Sequence, residues 1–291
     1  MLAKIDTLTS QYRKATLHPD GLLTIGSENK RLSFLENFKI EELITDFNLL
    51  CNLPPYLLRT CIFPRGNIIQ ADEFLKIFDI WVIKTINFFS NHFSRRLHTH
   101  DLISAEEYRN VEVFESLLLV DLDRISSSIK ENTSLGMVIN ALNDRIFPCF
   151  VYPFLEGLVR NECKGILNID GTIANIDAFP PEIKGKYEGK KQWFQVSNIG
   201  HELFLLTISS TNPLKNIIEK TLQEFAKCID SPDDPYTTIK NARNGILHGD
   251  IGYKGAITAK YIVFLILLSR INEAEFKKEV QKINYHNVIF W

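Results

Sequence analysis

The stretch Ala256–Arg270 reads AITAKYIVFLILLSR, and eight consecutive apolar residues, Tyr261–Leu268, occupy its centre. A membrane span takes about 20 apolar residues, so this run is too short to cross a bilayer. A helix that is apolar on all sides is instead buried between other elements. The stretch therefore predicts a core helix, expected to run from Ala256 to about Lys282, in a soluble protein with no membrane partner.

A second helix with clear end signals is expected just before this one. Ser231–Pro235 reads SPDDP, a turn that supplies an N-cap for a helix from Tyr236 to about His248. Gly249 follows, and glycine is the residue that most often ends a helix.

The middle of the chain alternates helical and broken stretches. Gly200–Cys228 has helical spacing with a break at Asn212-Pro213. Leu135–Asn161 is also helical, and its two prolines are expected to kink or divide it. Between these stretches, residues 170–199 contain glycines, prolines and lysines, a pattern that predicts a lysine-rich loop or hairpin.

The first part of the chain has helical patterns as well. Ser33–Leu50 has helical spacing, and Pro54-Pro55 are expected to interrupt the chain after it. Asp72–Phe93 is apolar almost all round and predicts a buried helix. Ser104, with Glu107 three residues later, forms a capping box that opens a further helix.

The polar stretch Asn132–Ser134 is the best candidate for a domain boundary. We therefore predict an all-α fold with an N-terminal helical lobe of unknown role at 1–131 and a second helical domain at 132–291. The five cysteines are scattered without a CxxC pair, and the first residues contain no apolar run typical of a signal peptide. Both features indicate a cytoplasmic protein.

The net charge of −2 excludes a protein that holds nucleic acid mainly through a broad basic surface. Any RNA contact is therefore expected to be local. One local constellation stands out in Asn241–Gly249, which reads NARNGILHG and places Arg243, Asn244 and His248 in an Arg-Asn-x-x-x-His pattern. Two other segments, Arg13…His18 and Arg95…His100, have the same Arg-to-His spacing but lack the asparagine.

The Arg-Asn-x-x-x-His segment resembles the active-site signature of HEPN domains, over a region of about Leu135–Trp291. The resemblance implies a HEPN-like four-helix bundle, commonly dimeric, acting as a metal-independent endoribonuclease without a cofactor. It also implies a toxin or antiviral-defence role, with an inhibitor or antitoxin protein as a possible partner. The alternative is a catalytically inactive HEPN-like module that binds RNA or a partner protein.

The three motif residues suit RNA cleavage without a metal. His248 is expected to move protons, because imidazole titrates near neutral pH. Arg243 is expected to hold phosphate oxygens and the transition state through its planar guanidinium. Asn244 lies four residues from His248 on the same helix face and is expected to orient it or bind a phosphate oxygen. A helix C-terminus without catalytic use would show the same histidine and glycine.

Arg243 and His248 are about 140° apart on a regular helix, so one copy of the motif points them in different directions. A bend near Gly245 and Gly249, or a second copy of the chain, would bring them together. We expect a homodimer. The apolar ending Val288–Trp291 also favours packing against its own domain or a partner.

Further candidates accompany the motif, and each has a simpler explanation. Glu156 and Arg160 form either an intrahelical ion pair or part of the site, and Asp250 and Tyr253 follow the motif closely. Candidate RNA-binding residues are Lys184, Lys186, Lys190, Lys191 and Trp193, which a solvated hairpin would also contain. No metal site is expected, because the cluster His92, His98, His100 and Asp101 lacks further ligands at useful spacing.

Overall fold

A computed structural model describes residues 16–17, 23–24, 46–61, 134–191, 194–249, 253–271 and 273–280. This part of the chain is all-α, as predicted, apart from two paired two-residue strands, β1 (Thr16–Leu17) and β2 (Leu23–Thr24). Eight α-helices fall within it: α1 (Phe47–Cys61), α2 (Ser134–Glu162), α3 (Pro181–Tyr187), α4 (Ile199–Ser209), α5 (Lys215–Cys228), α6 (Pro235–Leu247), α7 (Tyr253–Ser269) and α8 (Glu273–Val280).

Helix α7 is the core helix that the apolar stretch predicts. Its residues from Gly255 to Leu268 are all buried, and it contacts α1, α2, α5 and α6. Lys260 is also buried in it. None of the helices in the described ranges is long and apolar enough to cross a membrane.

The predicted end of this helix at about Lys282 is wrong, because α7 ends at Ser269 and α8 begins at Glu273. The last turn tightens into i→i−3 hydrogen bonds, in which the amides of Arg270 and Ile271 bond two carbonyls of α7 at 3.1 Å. The side chain of Arg270 then turns to Glu162 at the end of α2, with its Nε 2.9 Å from the carboxylate. Tertiary contacts therefore stop a helix that the local pattern would continue.

Pro54-Pro55 do not interrupt the chain, because α1 runs through both prolines. A proline in a helix interior costs about 3 kcal/mol. Four leucines of α1 are buried, and each contributes about 1.5–3 kcal/mol on burial; they are Leu49, Leu50, Leu53 and Leu58. Burial thus offsets the two prolines. Of the predicted helix Ser33–Leu50, residues 33–45 lie outside the described residues; α1 begins after Asp46, whose carboxylate accepts from the Leu49 amide at 3.0 Å.

Helix α2 contains Pro148 and Pro153 and remains one continuous helix rather than two. Its second half is buried through Val151, Leu155 and Leu158 against α7 and α4. The break predicted at Asn212-Pro213 is confirmed, because it separates α4 from α5.

In the segment 170–199, the structure has a short 3-10 helix, Ile176–Ala178, followed by α3. An antiparallel bridge between Thr172 and Gln195 joins the two ends of the segment. The predicted helix Asp72–Phe93, the capping box at Ser104 and the cluster around His98 lie outside the described residues. The division into two lobes stays a prediction; α1, which precedes the proposed boundary, packs in the same core as α5 and α7.

Candidate functional site

The motif lies on α6, whose ends match the prediction to within one residue. Asp234 caps the N-terminus, where its carboxylate accepts from the amides of Tyr236 and Thr237 at 2.9 and 3.0 Å. His248 is the first residue beyond the last helical position, and Gly249 follows with a φ of +91°. Such a left-handed conformation favours glycine, so Gly249 ends the helix as predicted.

A close helix contact fixes the position of α6. Ile239 and Ile246 are buried, and Ala242 packs against Gly255 of α7. A Cβ at Gly255 would lie 2.6 Å from both the Ala242 Cβ and the Tyr152 Oη. Any larger residue there would push α6 away from the core, so Gly255 sets the depth at which Arg243 lies.

Arg243 is the end of a chain of four charged side chains. Its Nη2 lies 3.1 Å from the Glu156 Oε1, and Glu156 Oε2 lies 3.6 Å from the Arg160 Nη2. Arg160 in turn donates from Nε to the Glu202 Oε1 at 2.9 Å. We call Arg243, Glu156, Arg160 and Glu202 the arginine–glutamate network. It combines α6, α2 and α4, so Glu156 and Arg160 form both the intrahelical pair and a link to the motif.

Glu202 is fully buried at the inner end of this network. Burial raises the pKa of its carboxyl to about 7, helped by Glu156 and opposed by Arg160 and Arg243. Its Oε2 has no hydrogen-bond partner among the described residues. When Glu202 is ionised, two carboxylates balance the two arginines; when it takes up a proton, the arginines are in excess.

A tight turn covers Arg160 from the other side. Gly171 has a φ of +84°, and a Cβ there would lie 3.0 Å from the guanidinium carbon of Arg160. Asp170 precedes this glycine, and hydrogen bonds from Thr172 lower the pKa of its carboxyl. The turn thus approaches the guanidinium closely because it carries glycine at that position.

The outer part of the site is Arg243, Asn244 and His248. The Arg243 side chain is 26% exposed, and its Nη1 donates to the Asn244 Oδ1 at 3.3 Å. His248 is exposed, and its imidazole has no hydrogen-bond partner in the described part of the chain. Arg243 therefore contacts Asn244 and Glu156, whereas His248 forms no hydrogen bond with Arg243 or Asn244.

The remaining predicted residues are spread over the 170–199 segment and the α6–α7 turn. Lys184 pairs with Asp177 at 2.9 Å, and Lys190 lies over the Phe194 ring with its Nζ 5.2 Å from the centroid. Lys191 is exposed. Trp193 and Asp250 lie outside the described residues, and Tyr253 is the first residue of α7.

Lys186 contacts a histidine that no motif in the sequence indicates. Its Nζ lies 3.3 Å from the Nε2 of His201 on α4, and the Tyr187 Oη lies 2.5 Å from the Nδ1. Glu202 is the next residue and is equally missed. The signal available for both was local, since Ile199–Ser209 reads IGHELFLLTIS and its first turn places His201 and Glu202 next to each other in a mostly apolar helix.

Within the described ranges, no three His, Cys, Asp or Glu side chains converge on a point where they would hold a metal ion. No known protein family, characterised protein or solved structure matches the chain.

Proposed function

We propose that the chain is a HEPN-type, metal-independent endoribonuclease, with its active site at the C-terminal end of α6. The observation that carries the proposal is the state of the two motif residues near the C-terminal end of α6: Arg243 is partly exposed and paired with Glu156, and His248 is exposed with an imidazole that no described residue engages. A restrained cation and an unengaged imidazole are the two groups that RNA cleavage requires.

The proposed reaction is attack by the ribose 2′-oxygen on the neighbouring phosphorus. The O2′–P bond forms, the P–O5′ bond breaks, the 2′-hydroxyl loses its proton and the leaving 5′-oxygen gains one. His248 is the residue that transfers protons at this site, because its ring is free to approach either oxygen. Arg243 binds the non-bridging phosphate oxygens as negative charge builds up on them. The products are a 2′,3′-cyclic phosphate and a 5′-hydroxyl.

Asn244 and Glu156 act on Arg243 in this proposal. Asn244 accepts a hydrogen bond from Nη1 while the Glu156 carboxylate forms an ion pair with Nη2, so one hydrogen bond and one ionic contact restrain the guanidinium. This differs from the expectation that Asn244 orients His248. A guanidinium held in one plane presents its remaining donors to a phosphate at little cost in side-chain entropy.

We also propose a homodimer in which Arg243 of one chain acts with His248 of the other. Leu247, the last residue of α6, lies between Arg243 and His248 in the sequence and is 54% exposed. An exposed leucine between the partly exposed Arg243 and the exposed His248 is a suitable centre for a contact between two copies. A cytoplasmic location, a toxin or antiviral-defence role and control by an inhibitor protein complete the proposal. The unpaired state of Cys51, Cys149, Cys163 and Cys228 supports the location.

The direct test is cleavage of total RNA by the purified chain in EDTA, followed by analysis of the fragment ends. We expect cleavage to persist and to leave 2′,3′-cyclic phosphates. His248→Ala and Arg243→Ala should abolish it, whereas His18→Ala and His100→Ala, in the other two Arg-to-His segments, should not. Activity that disappears on chelation and returns with Mg²⁺ contradicts the proposed chemistry.

A second candidate is an inactive HEPN-like module that binds RNA or a protein. It is favoured by the pairing of Arg243 with Glu156 rather than with a group near His248. Such a module would bind RNA in the same experiment and leave it intact.

A further inference from the structure

A second cluster of polar side chains surrounds His201 on the first turn of α4. Because the Lys186 ammonium group can only donate, the His201 Nε2 accepts from it at 3.3 Å. The imidazole proton then resides on Nδ1 and is donated to the Tyr187 oxygen. This leaves the hydroxyl hydrogen of Tyr187 available to another acceptor. Lys186 is exposed, His201 is half-buried and Tyr187 is buried, so this cluster, called the recess below, extends inward from the surface.

The recess is positively charged. Lys186 on α3 contacts His201, and burial together with the charges of Lys186 and of Lys240 on α6 lowers the pKa of His201. Neither lysine pairs with a carboxylate within the described ranges. The opposing charge is Asp234, whose carboxylate is already engaged as the N-cap of α6. On its own helix, the neighbouring Glu202 carboxylate is engaged by Arg160.

Lys240 connects this recess to the motif. At about 100° per residue, Lys240 lies on α6 between Arg243, about 60° to one side, and His248, about 80° to the other. The axial rise is about 4.5 Å from Lys240 to Arg243 and about 12 Å from Lys240 to His248. Lys240 and Arg243 are therefore neighbours on one side of α6, and Lys240 is close enough to His201 for its charge to act on the imidazole.

We propose that Lys186, His201 and Lys240 bind a backbone phosphate of the same single-stranded RNA that is cleaved at Arg243 and His248. This inference rests on the proposed function and describes how the ribonuclease holds its RNA substrate. The lysines supply two charges, and the Tyr187 hydroxyl supplies a donor at the floor of the recess. A bound phosphate also favours the charged form of His201, so binding takes up a proton and weakens as the pH rises.

The test is binding of a 2′-O-methyl RNA octamer, which lacks the attacking hydroxyl and cannot be cleaved. Lys186→Ala/Lys240→Ala should weaken binding by about tenfold or more, since each lost contact is a charge-assisted hydrogen bond. The dependence of log K on log salt should become shallower by about 0.7 for each lost phosphate contact. The matched control is Lys227→Ala/Lys277→Ala, which removes one lysine from α5 and one from α8. It should change neither the affinity for the octamer nor the salt dependence of binding.

Three further readouts separate the possible outcomes. With cleavable RNA, the double variant should raise KM about tenfold and change kcat less than about twofold. His201→Gln should remove most of the pH dependence of octamer binding while the circular dichroism spectrum is retained. In wild-type protein, saturation with the octamer should move the NMR titration of His201 to higher pH.

Cleavage with an unchanged KM in Lys186→Ala/Lys240→Ala overturns the phosphate subsite and leaves the ribonuclease proposal standing. Lysine-dependent binding of the octamer without any cleavage of ordinary RNA upholds the subsite and overturns the enzyme. A wild-type chain that binds no RNA overturns both.

Discussion

The Glu156 Oε1 lies 3.1 Å from the Arg243 Nη2, so a carboxylate on α2 holds the guanidinium of the motif helix α6. We expect this contact to position Arg243 rather than merely neutralise it. Glu156→Ala should lower kcat between about 10- and 100-fold with a smaller change in KM, because a misplaced group costs that much in a reaction that depends on alignment. Glu156→Gln keeps the shape of the side chain but removes the charge of the ion pair, and should lose less activity than Glu156→Ala. Equal losses in both variants would contradict a positioning role.

Glu202 should make the stability of the protein fall as pH rises toward neutrality. Its folded pKa of about 7 is above the ordinary value of 4.5, so the folded state holds a proton that the unfolded state has lost. The contribution is complete below about pH 4.5 and is lost as pH rises through about 7. Its full size is of the order of 3 kcal/mol. Glu202→Gln should abolish this trend in urea denaturation between pH 5 and 8; parallel profiles for the two proteins would contradict it.

Gly255→Ala should destabilise the protein by about 1–3 kcal/mol, since the new methyl group has no room between Ala242 and Tyr152. Because α6 must move to admit it, we also expect a loss of cleavage activity. Tyr152→Phe removes the atom on one side of the clash and should partly restore the stability of Gly255→Ala. Gly157→Ala is the control, because nothing lies within 4 Å of the position of its Cβ. Thermal unfolding measures the three single variants and the Gly255→Ala/Tyr152→Phe double variant.

A site shared between two chains should be restored by mixing two inactive variants. In a freely exchanged mixture of Arg243→Ala and His248→Ala chains, about half of the dimers are mixed, and each mixed dimer has one intact site. The mixture should therefore regain about a quarter of the wild-type activity. Each variant incubated alone provides the control. An inactive mixture in which tagged mixed dimers are demonstrably present would exclude a shared site.

Expression of an active ribonuclease should arrest cell growth. His248→Ala and Arg243→Ala should relieve the arrest at equal protein level, because each removes a group needed for cleavage. His18→Ala and His100→Ala should leave it unchanged. Growth curves with parallel immunoblots measure the effect, and relief by all four substitutions would point to a loss of folding instead.

The structural features that could be predicted from the sequence are those that short stretches of it determine. Asp234, Pro235 and Gly249 mark the ends of α6 through bonds to their immediate neighbours, and the apolar run of α7 indicates its burial directly. The arginine–glutamate network could not be predicted from the sequence, because Arg160 and Glu202 are 42 residues apart and meet only in the folded chain. The same holds for the passage of α1 through Pro54-Pro55, which the contact with α5 stabilises.

The angle of about 140° that a regular helix puts between Arg243 and His248 has a consequence for dosage. If each working site takes one residue from each of two chains, activity depends on the concentration of pairs rather than of chains. Well below the dissociation constant of the dimer, halving the amount of protein should reduce the rate of cleavage about fourfold. A cell would then tolerate a low copy number of the protein and respond steeply once its abundance passes that threshold.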